Sequence, residues 1–116
     1  MSKEERYENR QWNDAVRDAK RAYNQFEKFD WKAYEGEPNS AARHLRKSLD
    51  DFNSAMTHAA KAEVGEAQKG AVNDINSGIK QLDDAVNALD GGNFDAAQRH
   101  YDKAATDFNK AAVILD

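Results

Sequence analysis

Three histidines, His44, His58 and His100, are the residues of this 116-residue chain best suited to do chemistry. Metal sites inside helical bundles commonly pair a histidine with a glutamate three residues earlier, so that both side chains face inward. Alanine stands three residues before each of these histidines. We therefore expect solvated histidines on the flanks of helices, with no metal and no other cofactor.

The residues that follow two of these histidines suggest another chemistry. His44 is followed by Lys47, and His100 by Lys103, and the next residue is small in both segments. A lysine one helical turn away can stabilise a phosphoryl group on the histidine. This spacing resembles the phosphoacceptor segment of histidine phosphotransfer domains, which are four-helix bundles of about this length. The resemblance implies a phosphoryl carrier, but the family's apolar residue at the second position and glycine at the fourth are missing here.

Other catalytic patterns are absent from the sequence. It contains no glycine-rich phosphate loop, no Gly-x-Ser-x-Gly segment and no His-Glu-x-x-His pair. The adjacent carboxylates Asp50–Asp51 and Asp83–Asp84 fit a solvated helix face. We expect a protein that is not an enzyme.

An internal repeat at an offset of 56 residues indicates how the side chains are positioned. Residues 36–56 align without gaps with residues 92–112, and nine of the 21 positions are identical. The identical pairs include His44 with His100 and Lys47 with Lys103. Duplication of one helical hairpin therefore explains why the histidine–lysine spacing occurs twice.

Apolar residues recur in each copy at alternating steps of three and four, which is typical of helices packed at a shallow angle. We call the positions at these steps, which include the polar Asp30 and Ser48, the seam of each helix. The seam positions are Trp12, Val16, Ala19, Tyr23, Phe26, Asp30 and Ala33 in the first segment; Pro38, Ala41, Leu45, Ser48, Phe52, Ala55 and Ala59 in the second; Val72, Ile75, Ile79, Leu82, Val86 and Leu89 in the third; and Phe94, Ala97, Tyr101, Ala104, Phe108, Ala111 and Leu115 in the last. Glycines at 36, at 65 or 70, and at 91–92 mark the turns. The spacing predicts helices over 8–34, 38–62, 66–90 and 93–115.

The predicted fold class is all-α. Short connections make sequential helices antiparallel, so we expect an up-down-up-down four-helix bundle made of two duplicated helical hairpins. A single domain would cover residues 1–116, with the first hairpin at about 8–62 and the second at about 66–115.

The two copies differ in aromatic content near the first turn. Phe29, Trp31 and Tyr34 align with alanine, asparagine and aspartate in the second copy. On a continuous helix Trp31 would face outward, where an aromatic ring can anchor a partner. Alternatively, Trp31 folds over the bundle end and covers the turn. These three residues are the candidate partner-binding site.

The segment from Gly92 to Ala104, with Phe94, Ala97 and Tyr101 between them, resembles the second helix of a tetratricopeptide repeat. The resemblance implies a peptide-binding scaffold. The repeat in this chain has a period of 56 residues, whereas tetratricopeptide repeats recur every ~34 residues.

Charge and composition narrow the class of partner. The net charge is −4, and the whole acidic excess lies in residues 59–116. An acidic chain without a basic stripe is poorly suited to nucleic acid, and no segment has the ~20 apolar residues that cross a bilayer. We expect a protein partner, with a basic surface favoured by charge. The chain itself is expected to be a monomer or a weak homo-oligomer.

The chain contains no cysteine, which fits a reducing compartment. Its charged N-terminal segment lacks the apolar stretch of a signal peptide. The sequence therefore predicts a cytoplasmic protein–protein interaction module, such as an adaptor or an inhibitor or immunity-type binding protein.

Overall fold

Four long α-helices form the structure, a computed structural model that describes the backbone of residues 2–62 and 64–115 and their side chains as far as residue 113. The helices are α1 (Lys3–Glu27), α2 (Pro38–Ala60), α3 (Glu66–Asp90) and α4 (Phe94–Leu115), and a short 3₁₀ helix, Trp31–Tyr34, precedes α2. The described residues include no strand. The Cα atoms span 54 × 20 × 20 Å. The predicted all-α bundle of four helices is confirmed.

Neighbouring helices run in opposite directions, as side-chain hydrogen bonds between them show. In each hairpin the residue numbers rise along one helix while those of their partners fall along the other. Four pairs at 2.9 to 3.1 Å establish this order: Ala22–Ser48 and Asp18–Ser54 in the first hairpin, and Gln81–His100 and Ser77–Asp107 in the second. The hydroxyls of Tyr23 and Tyr101 donate to the carbonyls of Phe108 and Phe26, which joins α1 to α4.

The core centres on two fully buried phenylalanines, Phe52 of α2 and Phe108 of α4. The Phe108 ring lies against Gly78 of α3, where a Cβ atom would come within 2.4 Å of Cε1. A residue without a side chain is therefore needed at Gly78 for α3 and α4 to pack closely around this ring.

Most of the predicted seam residues are in the core. Buried seam residues comprise Ala19, Tyr23 and Phe26 of α1; Ala41, Leu45, Ser48, Phe52, Ala55 and Ala59 of α2; Ile75, Leu82, Val86 and Leu89 of α3; and Ala97, Ala104, Phe108 and Ala111 of α4. The side chain of Leu115, which was also predicted to be on a seam, lies outside the described residues.

The predicted bounds of α1, 8–34, are wrong at both ends. The helix already begins at Lys3, because the Ser2 hydroxyl accepts a hydrogen bond from the Glu5 N–H at 3.1 Å and caps it. It ends at Glu27, seven residues before the predicted end. Phe29, Trp31 and Tyr34 therefore lie in the connection between α1 and α2, the last two on the short 3₁₀ helix, and not on α1.

The other helices match their predicted bounds closely. Gly36 and Gly92 adopt φ of +80° and +77°, the left-handed conformation that glycine tolerates best, before α2 and α4. The middle break is at Gly65, since Gly70 lies inside α3. Helices of 22 to 25 residues are longer than a two-helix repeat of ~34 residues can hold, so the tetratricopeptide likeness is limited to the turn at Gly92.

Candidate functional site

The connection between α1 and α2, residues 28–37, is called the aromatic turn here. The Lys28 N–H still bonds to the Asn24 carbonyl at 3.2 Å, but at Asp30 the chain becomes extended, with φ −110° and ψ 105°. Asp30 Oδ1 accepts from the Lys32 N–H at 3.0 Å and so caps the 3₁₀ helix. The second copy has no such turn, because α3 continues to Asp90.

Phe29 fixes the aromatic turn to the bundle. Its side chain is only 7% exposed. Tyr34 stacks on it, with ring centroids 5.2 Å apart and planes 2° apart, and Trp31 meets it edge-on at 4.8 Å and 87°. Such ring pairs contribute ~0.5–1.5 kcal/mol each beyond area burial. The structure thus brings the three predicted site residues into one cluster.

Trp31 joins the aromatic turn to α4. Its ring lies 5.4 Å from that of Tyr101, at 85°, and 6.3 Å from that of Phe94, at 70°. The indole is half-buried. The prediction that Trp31 faces outward from a continuous helix is wrong, because α1 ends before it. Trp31 instead folds over the bundle end, which is the alternative that the sequence left open.

A cleft of about 350 Å³ lies between the aromatic turn and the start of α4. Two aromatic side chains, two carboxylates, one ammonium group and one amide line it: Trp31, Phe94, Glu35, Asp95, Lys32 and Gln98. The cleft is open to solvent on one side, since the four polar residues are all exposed. Its lining thus combines two aromatic rings with four polar side chains, three of which are charged.

His44 and His100 have different partners, although they occupy equivalent positions. His100 Nδ1 donates to Gln81 Oε1 at 3.1 Å. His44 Nδ1 is hydrogen bonded to the Tyr34 hydroxyl at 3.2 Å instead. Gln25, the counterpart of Gln81, has its Oε1 buried without a hydrogen-bond partner among the described residues. The aromatic turn has thus replaced one polar contact of the repeat with another.

The predicted phosphoacceptor residues lie at separate places. His44 is half-buried beside the aromatic turn, with its ring 5.8 Å from that of Phe29. His100 is half-buried between α3 and α4, and Lys47 and Lys103 are exposed. The described structure records no ring contact or hydrogen bond between the two histidines. The phosphotransfer reading remains a prediction.

A polar cluster around Asp18 was missed by sequence reasoning. Asp18 is only 6% exposed, and its Oδ2 accepts from Ser54 Oγ at 3.0 Å. His58 Nε2 lies 3.5 Å from the same oxygen, and His58 Nδ1 donates to Gln11 Oε1 at 2.9 Å. Serine and histidine both face the carboxylate and not each other, so the geometry is not that of an activated nucleophile. The cluster links α1 to α2.

The sequence contains only a weak indication of this polar cluster. Asp18 directly precedes the seam residue Ala19, and aspartate recurs at the equivalent Asp74. The partners, however, are specific to the first copy: lysine stands in the place of Ser54 in the second copy, and isoleucine in that of His58.

The described part of the chain also bears on metal binding and on membrane crossing. No group of three or more histidine, aspartate or glutamate side chains there is placed to hold a metal ion. None of the helices, over their described residues, is long and apolar enough to cross a membrane. No protein-family model, curated protein or solved structure matches the chain.

Proposed function

We propose that the chain is a non-enzymatic interaction module that binds another protein through the end of the bundle that carries the aromatic turn. The observation that supports this most strongly is the cleft in which Trp31 and Phe94 meet solvent beside charged side chains. A rigid, half-buried tryptophan beside polar groups is the kind of side chain that dominates protein–protein binding energies.

The difference between the two hairpins supports the same proposal. The second hairpin joins α3 to α4 through residues 91–93, so the repeat can close its turn without aromatic side chains. The first hairpin uses ten residues and three aromatic side chains for the same connection. A hairpin of this bundle can therefore close with a shorter connection, and a binding role would account for the added length of the aromatic turn.

Affinity capture tests the proposal. The tagged chain is incubated with lysate of the source organism, alongside Trp31→Ala and Trp12→Ala variants. Both variants lose a half-buried tryptophan, but Trp12 lies on α1 far from the aromatic turn. We expect the wild type and Trp12→Ala to capture one protein in stoichiometric amount, and Trp31→Ala not to capture it. A partner that both variants retain would place the binding surface elsewhere.

A further inference from the structure

We propose that the cleft beside Trp31 binds a cationic side chain, an arginine or lysine on the surface of the partner protein. The inference rests on the proposed function and specifies the chemistry of the partner. It is carried by three features of the cleft: its aromatic walls, its unpaired carboxylates and its size.

The aromatic walls suit a cation. Trp31 and Phe94 meet edge to face, at 70° with centroids 6.3 Å apart, so the two rings touch and together form an aromatic wall of the cleft. A cation is attracted to the face of an aromatic ring, and most strongly to that of tryptophan. Phe29 and Tyr101 pack against Trp31 from within the bundle and hold the indole in place before a ligand arrives. Such preorganisation reduces the entropy lost on binding.

The charges of the cleft favour the same ligand. Glu35 and Asp95 place two carboxylates at its rim, and neither forms a salt bridge with a described residue. Lys32 contributes one opposing positive charge. The formal charge of the lining is therefore negative, and a cationic ligand would neutralise it.

The start of α4 is the feature that could instead attract an anion, because N–H groups at a helix N-terminus carry partial positive charge. Here Asn93 Oδ1 already accepts from the Ala96 N–H at 3.0 Å. Asp95 adds a negative charge in the first turn. Both features oppose an anionic ligand at this end.

The size of the cleft limits what it can hold. About 350 Å³ is near the lower end of the range of ~300–1,000 Å³ found for small-molecule sites. This space fits one long side chain and not a folded peptide segment. An arginine or lysine that projects from a partner's surface meets this limit.

A peptide titration followed by nuclear magnetic resonance tests the inference. The probe is acetyl-Gly-Arg-Gly-amide, and the controls replace arginine with neutral citrulline or with glutamate. The chain contains two tryptophans, so the indole N–H signal of Trp12 serves as an internal reference for that of Trp31. We expect a saturable shift of the Trp31 signal alone with the arginine peptide. Affinity should be weak, with a dissociation constant on the order of 10 mM.

Variants of the charged side chains test whether negative charge in the cleft favours arginine binding. Glu35→Gln and Asp95→Asn should each weaken arginine binding about two- to fivefold, and Lys32→Gln should strengthen it by a similar factor, as for exposed charge pairs. All three effects should diminish at high salt. No saturable shift with the arginine peptide, a stronger shift with the glutamate peptide, or weaker arginine binding by Lys32→Gln would overturn the inference.

Failure of the cationic-ligand inference can be distinguished from failure of the proposed function. If captured partner is lost with Trp31→Ala but retained fully with the combined Glu35→Gln and Asp95→Asn variant, the aromatic turn binds a partner and the cationic ligand is wrong. If Trp31→Ala itself retains the partner, the proposed function fails.

Discussion

The rings of Phe52 and Phe108 stack at the centre of the bundle, with centroids 4.0 Å apart and planes 11° apart. The two residues occupy equivalent positions of the repeat, 56 residues apart. Tyr23 meets both rings edge-on, at 5.4 and 5.7 Å. The two hairpins are therefore joined through copies of the same residue, and a third ring from α1 completes the contact.

The first prediction concerns the coupling between these rings. Phe52→Leu and Phe108→Leu should each destabilise the fold, and the loss in the double variant should differ from the sum of the two by about 0.5–1.5 kcal/mol, because the rings touch. Urea unfolding of wild type and the three variants measures this coupling. Strictly additive losses would mean that the stacked contact contributes nothing of its own.

Gly78 provides a second prediction. Gly78→Ala places a Cβ within 2.4 Å of the Phe108 ring. This overpacking should lower the free energy of unfolding by ~1–3 kcal/mol. The higher helix propensity of alanine should offset only part of that loss. At Gly70, in the same helix, the added Cβ meets no described atom within 4 Å apart from its chain neighbours and the backbone of its own helix. Gly70→Ala should therefore raise the free energy of unfolding by up to ~1 kcal/mol. Thermal unfolding compares the two. Equal effects of the two substitutions would contradict the close packing of Phe108 on α3.

The unequal polar contacts of the two copies give a third prediction. Gln81→Met removes the acceptor for His100 Nδ1 and should destabilise by ~1 kcal/mol. Gln25→Met has nearly the same shape and removes a buried oxygen that lacks a partner among the described residues, so it should be neutral or stabilising. Denaturant unfolding of both variants measures the change in the free energy of unfolding that each substitution causes. A larger loss of stability with Gln25→Met would show that in solution Gln25 is hydrogen bonded to His44, as Gln81 is to His100.

Alkaline pH tests the burial of Tyr101. Desolvation, with further contributions from Asp102 and Glu27, raises the pKa of Tyr101 from 10.0 to about 12. The unfolded chain, with a tyrosine pKa of about 10, therefore releases this proton first. The stabilisation is complete below about pH 10 and is lost as pH rises to about 12.

The corresponding measurement compares wild type with Tyr101→Phe, using the free energy of unfolding at about pH 9 and about pH 11.5. Wild type should lose more stability between the two values than the variant, because other alkaline titrations are common to both. The same loss in both proteins would mean that Tyr101 ionises as easily in the folded state as in the unfolded one.

The helical bundle could be predicted because its signals are local. Seam spacing and the glycines at 36 and 92 determine α2, α3 and α4 almost to the residue. The end of α1 could not be predicted in this way. The seam spacing continues through Asp30 and Ala33, and the helix stops because Phe29 packs into the core and Asp30 caps the 3₁₀ helix. Both are tertiary or capping effects that override the periodicity.

The candidate site was found only in part. Comparing the copies identified Phe29, Trp31 and Tyr34, of which only Trp31 lines the cleft. The cleft also includes Phe94 and Asp95, which are more than 60 residues away in the sequence. Their proximity follows from the antiparallel packing of the bundle and from the fold-over of Trp31. No sequence pattern predicts that these residues lie close to Trp31. Likewise, no sequence pattern shows that His44 bonds to Tyr34, nor that Gln25 Oε1 has no hydrogen-bond partner among the described residues.

The central claim is that the bundle end carrying Trp31 binds a partner protein. Titration calorimetry of the captured partner with wild type, Trp31→Ala and Trp12→Ala tests it most directly, with circular dichroism to show that helicity is equal. We expect Trp31→Ala to weaken binding by ~2 kcal/mol or more, about 30-fold, as for a binding hot spot, and Trp12→Ala to leave affinity unchanged. Equal affinities of Trp31→Ala and wild type would contradict the claim.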